Sequence, residues 1–182
     1  LLFCTLFSCS SEPQRTVLEL PEEDFCAKIH RNNDVKLSEK LAPLEAKMEK
    51  GTGVYVLEEG DDAMVARAWL SEYAEKTIDI QYFIYSTDNV GLIATDYLLR
   101  AADRGVKVRI LIDDIMVDTQ LDQILAFNDH QNIEIKIYNP NINVGKNLAS
   151  KLFKVATDFR GINQRMHNKT FIVDNQVVIT DG

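Results

Sequence analysis

The chain is poor in several features that would narrow its function at once. No segment is long and charge-free enough to cross a bilayer as a helix. Its three cysteines, Cys4, Cys9 and Cys26, show no C-x-x-C spacing and no paired histidine. No metal site and no cofactor is therefore expected. Internal repeats and low-complexity tracts are also missing. Positive charge is in deficit, with 20 Lys and Arg against 28 Asp and Glu and a net charge of −8 at pH 7. That balance argues against a nonspecific nucleic-acid binder, whose affinity comes from neutralising phosphates with a basic face. Histidine is scarce as well: His30, His130 and His167 are the only three.

What is present begins abruptly. There is no initiator Met, and residues 1–9 read as the tail of an apolar signal region. Leu6-Phe7-Ser8-Cys9 is similar to a bacterial lipoprotein cleavage box, with Cys9 as the lipidated residue and Phe7 bulkier than usual at its position. The alternative is a truncated secretory signal with an incidental cysteine. Ser10 after it is compatible with outer-membrane sorting, and residues 10–14 read as a polar tether. Residues 1–16 are thus expected to be a truncated lipoprotein signal and tether, on the periplasmic side of a bacterial envelope. Residues 17–60 lead into a domain over residues 61–182. That domain is expected to be incomplete at its C-terminus, because the chain stops two residues after an expected strand at 177–180.

From residue 61 the pattern becomes regular. Asp61 or Asp62 caps a helix whose stripe of Met64, Val65, Ala68, Trp69 and Tyr73 is expected to be core. Residues 77–85 read as a strand, and Asp88 or Asn89 starts a second helix whose Leu92, Ile93, Tyr97, Leu98 and Ala101 share a face. Gly105 suits the position after that helix, where a left-handed conformation ends it. Strands at 106–112 and 133–138 flank a helix from Asp118 to about Asp129. Helix alternating with strand predicts an α/β fold, with a mixed, mainly parallel sheet and helices on both faces. A long connection from Asn139 to Gly161 follows, locally basic through Lys146, Lys151, Lys154, Arg160 and nearby Arg165.

Residues 166–174, Met-His-Asn-Lys-Thr-Phe-Ile-Val-Asp, contain the pattern H-x-K-x4-D in His167, Lys169 and Asp174. Chance produces such a match in about one chain in a hundred with so few histidines. In an extended segment His167 and Lys169 share a face, which is a physical reason for the single residue between them. A neutral imidazole can attack phosphorus and form a phosphohistidine, and an ammonium can stabilise charge on the non-bridging oxygens. Asp174, at an odd offset from His167, faces the other way in an unbroken strand, so it is expected to fix the turn or orient its neighbours. Asp113 and Asp114, after the strand at 106–112, either line the site or cap the following loop, and the structural reading is favoured. Asp79 and Gln81 read as satisfied polar positions, and His30 and His130 as surface or packing residues.

These residues resemble the phospholipase D superfamily, specifically its bacterial cardiolipin synthase-like members. Arg165 to Asp174 and Ile78 to Ile84 carry the resemblance, with residues 98–105 and 106–114 in support. It implies His167 as nucleophile or general acid, Lys169 as the substrate phosphate ligand and Asp174 as the third catalytic-motif member. Members join two such motifs, one histidine attacking while the other protonates the leaving group. Only one motif occurs here, so this stretch alone is expected to be inactive, the second motif coming from a missing C-terminal half or a dimer partner. The family pattern also places a small residue where Asp181 stands.

The expected activity is phosphatidyl transfer or hydrolysis on phospholipid at a membrane surface, with nucleic acid the less favoured substrate. The alternatives are a nucleic-acid phosphodiesterase using the same chemistry, and a non-catalytic envelope protein with a degenerate motif.

Overall fold

The computed structural model describes residues 35–84, 86, 88–114, 121–140, 157 and 165–180. Five runs rich in β-branched residues form β1 (Thr77–Tyr82), β2 (Lys107–Asp113), β3 (Ile133–Tyr138), β4 (Thr170–Val173) and β5 (Val177–Thr180). They make one sheet in the order β3-β2-β1-β4-β5. Strands β1, β2 and β3 are parallel, with α4 (Asn89–Asp103) and α5 (Leu121–Asn128) in the two crossovers. β4 runs antiparallel to β1, and β5 antiparallel to β4. The fold is the expected α/β class with a mixed sheet.

Alternation along the strands sends Ile78, Ile80, Val108, Ile110, Ile112, Phe171 and Val173 to one buried face. There they join Leu70 of α3 (Gly60–Tyr73), Leu98, Ala101 and Ala102 of α4, and Ile124 and Phe127 of α5 in a single core. Each large side chain so buried contributes about 1.5–3 kcal/mol. The opposite face is mixed, with Leu111, Ile172 and Val178 among polar and charged residues. Asp79 pairs with Arg109 through both guanidinium nitrogens that face it, and Glu134 with Lys136 at 2.7 Å. A second helical layer over that face is not among the described residues.

Helix α4 starts where its sequence says it should. The Asp88 carboxylate accepts the Gly91 N–H at 2.9 Å, and this bond, with help from Ser86, holds its pKa below the usual carboxylate range. A Cβ on Gly91 would lie 1.8 Å from the Ser86 carbonyl oxygen, so the close turn into the helix requires glycine. At the other end Gly105 adopts φ 97°, the conformation expected of it.

Two apolar stripes depart from expectation. On α3, Val65 is 66% and Trp69 42% exposed, and the Trp69 ring packs edge-on against Tyr73 at 4.3 Å. The helix reaches the core through Leu70 and Ser71 instead, the Ser71 hydroxyl donating to the Arg67 carbonyl at 2.8 Å. Arg104 then donates to the Ser71 and Glu72 carbonyls at 2.7 and 2.9 Å, satisfying the C-terminal end of α3. On α4 only the later part of the stripe is buried, while Leu92 and Ile93 are exposed. Periodicity locates an apolar face, but the neighbouring element decides which part of it is covered.

The segment before residue 61 also contributes to the core. Leu37, in α1 (Leu37–Leu41), is 1% exposed and belongs to the same cluster. A 3-10 turn (Ala42–Leu44) with Pro43 in its first positions and the short α2 (Glu45–Met48) follow, the proline breaking the helical run. The Ser38 N–H donates to Glu75 Oε2 at 3.0 Å, tying α1 to the loop between α3 and β1.

Candidate active site

Strand β4 begins at Thr170, paired with Gln81, so His167 and Lys169 lie just before it. This puts them at the carboxyl end of β1, the edge where open α/β sheets bind ligands. The approach to His167 is held from β2. Asp113, its last residue, is fully buried. Its Oδ2 accepts the Met166 N–H at 2.9 Å and its Oδ1 accepts from Arg165 Nη1 at 3.0 Å. A charged acceptor thus fixes the peptide immediately preceding the histidine. The structural reading of Asp113 describes what it does, with a positioning effect on the motif. Asp114 is equally buried.

His167 and Lys169 are brought together. Lys169 Nζ lies 3.4 Å from His167 Nδ1, a long contact between exposed groups that phosphate oxygens can readily displace. With Nδ1 accepting from the ammonium, a neutral ring carries its proton on Nε2. That form can donate to a leaving group. Attack by Nε2 requires the lysine to turn to phosphate and Nδ1 to hold the proton. The Phe83 ring stands 5.2 Å from the imidazole, centroid to centroid. Between the two motif residues, Asn168 Nδ2 donates to Gln81 Oε1 at 2.8 Å.

Lys169 also lines a cavity of ≈ 650 Å³ between α3, α4 and the end of the sheet. Its walls are largely apolar, with Met64, Ala68, Ile80, Phe83, Ala94 and Phe171 among them. Arg67 reaches into it from α3, its Nε donating to the Tyr82 hydroxyl at 2.8 Å and its Nη1 to the Ala63 carbonyl at 2.9 Å.

Asp174 stands elsewhere. It ends β4 at the amino end of β1, roughly 17 Å along the strand from Lys169 at the usual rise per residue. Its carboxylate accepts three backbone N–H groups, from Glu75 at 2.9 Å, Lys76 at 2.7 Å and Thr77 at 2.8 Å. Its own N–H donates to the Thr77 carbonyl at 2.9 Å. Asp174 and Asn175 adopt φ 51° and 56°, the pair of left-handed residues that a type I′ hairpin turn requires. The motif therefore has a His–Lys end and an anchoring end, at opposite ends of β1.

Other expectations resolve more simply. His130 contacts Asp103 Oδ1 at 3.2 Å through Nε2 and accepts the Asn132 N–H at 3.1 Å through Nδ1, a packing residue. Asp79 and Gln81 are satisfied by Arg109 and Asn168. Cys9, the segment 1–16, His30, the cysteines at 4 and 26, Lys146, Lys151, Lys154, Arg160 and Asp181 lie outside the described residues. Among the described residues no cluster of three or more His, Cys, Asp or Glu is placed to hold a metal, and no helix is long and apolar enough to cross a membrane. Phe83, Arg67 and Tyr82 carry no local signal of a site. Each lies in an apolar or helical run, and only the fold turns them to the site.

Residues 70–182 match the family described as cardiolipin synthase, PLD-like domain. Cardiolipin synthase C of Escherichia coli is 37% identical over 150 residues, covering 81% of this chain and 30% of that protein. An uncharacterized protein of Helicobacter pylori strain J99 is 44% identical over 133 residues, 73% of this chain and 26% of its own length. The chain thus spans between a quarter and a third of the length of these relatives. The crystal structure of a phospholipase D family member, Nuc from Salmonella typhimurium, is 22% identical with a TM-score of 0.42, covering 65% of this chain and 61% of that one. By its family match and its curated relatives, this chain belongs to the phospholipase D superfamily, with a PLD-like domain of the cardiolipin synthase kind.

Proposed function

We propose that the protein cleaves phospholipid phosphodiesters and transfers the phosphatidyl group to an alcohol, as in cardiolipin formation, or to water. The observation that carries this reading is the His167–Lys169 pair, 3.4 Å apart at the edge of an apolar cavity that Lys169 helps to line. Similarity to Cardiolipin synthase C supports the same substrate class. An N-terminal lipid on Cys9 would hold the protein at the surface of its substrate in the bacterial envelope.

His167 serves as one of two histidines. As nucleophile its imidazole attacks phosphorus, the P–O bond to the leaving alcohol breaks, and the second histidine supplies the proton that alcohol needs. The acceptor alcohol or water then displaces the imidazole and gives up its proton to the same second group. Lys169 binds the non-bridging oxygens and offsets their growing charge. Asp174 keeps the strand in register from the far end. The second histidine comes from the remainder of a longer chain or from a second copy.

Incubating the complete protein with phosphatidylglycerol and, separately, with DNA tests this. The expected result is cardiolipin and free glycerol, or phosphatidic acid and glycerol, with no DNA cleavage. Cleavage of DNA with no change in phosphatidylglycerol would replace the lipid reading with a nuclease. An undiminished rate in His167→Ala would remove the catalytic assignment.

A further inference from the structure

We propose that the cavity between α3 and α4 is an acyl-chain subsite, taking one hydrocarbon chain of the lipid whose phosphodiester meets His167 and Lys169. This rests on the phospholipid reading above and adds where the chain goes. The cavity has the two-ended chemistry of an amphiphile. One end carries Lys169 and, across the antiparallel β1–β4 pair, Tyr82 with Arg67 held on its hydroxyl. Most of the remaining wall is apolar, from Met64 and Ala68 of α3, Ala94 and Leu98 of α4, and Ile80 and Phe171 of the sheet, while the exposed Glu58 and Glu59 also border it. Its volume of ≈ 650 Å³ falls in the usual range for small-ligand sites.

The helix surfaces explain why the space is open. Ala63, Ala68 and Ala94 present a methyl group each where bulkier residues would fill the gap. Apolar side chains also stand unburied at its rim, Val90 at 57% and Ile84 at 52% exposed. Along the apolar stretch of these walls a base or a sugar–phosphate chain would find few polar partners, whereas a hydrocarbon chain needs none. Continuity through Lys169 gives the direction: the headgroup phosphodiester lies at the sheet edge, and the chain runs inward between the helices.

The test uses the complete protein and two forms of phosphatidylglycerol, dioleoyl and dihexanoyl, each presented in the same detergent micelles. The readout is the ratio of their kcat/KM values. Each methylene removed from water is worth roughly fourfold, so displacing a few of them lowers the ratio by about tenfold or more. Ala68→Trp narrows the cavity from α3. Ala94→Trp does so from an exposed position on α4, where a larger side chain leaves the core intact. A drop in the ratio for either folded variant, checked by its melting curve, is the expected result. A ratio equal to that of the unmodified protein in both folded variants overturns the subsite. So does an equal loss on both lipids, which marks the groove as a seat for another part of the protein. If the unmodified protein turns over neither lipid but cuts DNA, the phospholipid reading itself has failed and the subsite falls with it. That outcome is distinct because it appears before any variant is made.

Discussion

The Asp174 carboxylate accepts the Thr77 N–H at 2.8 Å while the Thr77 carbonyl accepts the Asp174 N–H at 2.9 Å, a reciprocal pair joining residues 97 apart in sequence. Through it the last residue of the H-x-K-x4-D motif closes the amino end of β1, whereas the first two stand at the carboxyl end. One motif performs two separate jobs because a strand is the ruler between them.

That division predicts a difference between variants. Asp174→Asn keeps a residue tolerant of positive φ but removes the charge and one of the two oxygens that serve three N–H groups. A loss of about 1.5–3 kcal/mol in unfolding free energy is expected, the scale of a hydrogen bond to a charged group. Urea unfolding of the complete protein measures it. A change within about 0.5 kcal/mol, the level of an ordinary surface substitution, would contradict the anchoring role.

Lys169 predicts the opposite pattern. Lys169→Ala should lower kcat by about a hundredfold to a thousandfold, as loss of one charge-stabilising donor does. Stability should stay nearly constant. Lys169→Arg restores charge but not a compact ammonium, so only partial recovery is expected. Steady-state kinetics on phosphatidylglycerol separate kcat from KM. A rise in KM alone would make the lysine a ground-state binder only.

Asp113 and Arg165 form a coupled pair behind His167. Asp113 is fully buried and the Arg165 side chain 20% exposed, so Asp113→Asn strands a largely enclosed guanidinium. A loss of about 3 kcal/mol is expected, together with a lower kcat because the Met166 peptide loosens. Adding Arg165→Met should recover part of the stability, giving a non-additive double-mutant cycle. Strict additivity would mean that the two side chains act independently.

Acid should loosen the tie between α1 and the loop before β1. The Ser38 N–H, donating to Glu75, holds that carboxylate below a glutamate's ordinary pKa, with Lys36 and Lys76 adding to the effect. A depressed folded value means a contribution fully present above the ordinary glutamate pKa. It is lost as pH falls through the depressed one. The protection factor of the Ser38 amide, its rate taken against the intrinsic rate at each pH, should therefore fall on that acid side, and Glu75→Gln should flatten the dependence. Protection that is the same across this window in both proteins would show that the contact carries no linkage.

Much of the organisation was legible along the chain. The β-branched runs marked β1, β2 and β3 to within a few residues, Asp88 and Gly105 marked the ends of α4, and His167 and Lys169 stood out by spacing alone. The odd offset of Asp174 marks it as a support, because it turns the side chain away from His167 in an extended strand. These are local statements, decided by dihedral preference and periodicity over a handful of residues.

Tertiary structure decided what lies between such stretches. That Asp113 holds Met166 depends on β2 ending beside the segment that precedes β4, 53 residues further on. That Asp174 grips residues 75–77 depends on β4 running against β1. Trp69 faces outward because Leu70 and Ser71, not the longer apolar stripe, meet the sheet. The cavity beside Lys169 exists only where two helices and a strand end leave a space. The sequence alone determined the H-x-K-x4-D pattern and the strands that bear it. Strand order, strand direction and helix contact determined what surrounds those residues, because each is a choice among distant pairings that no local pattern encodes.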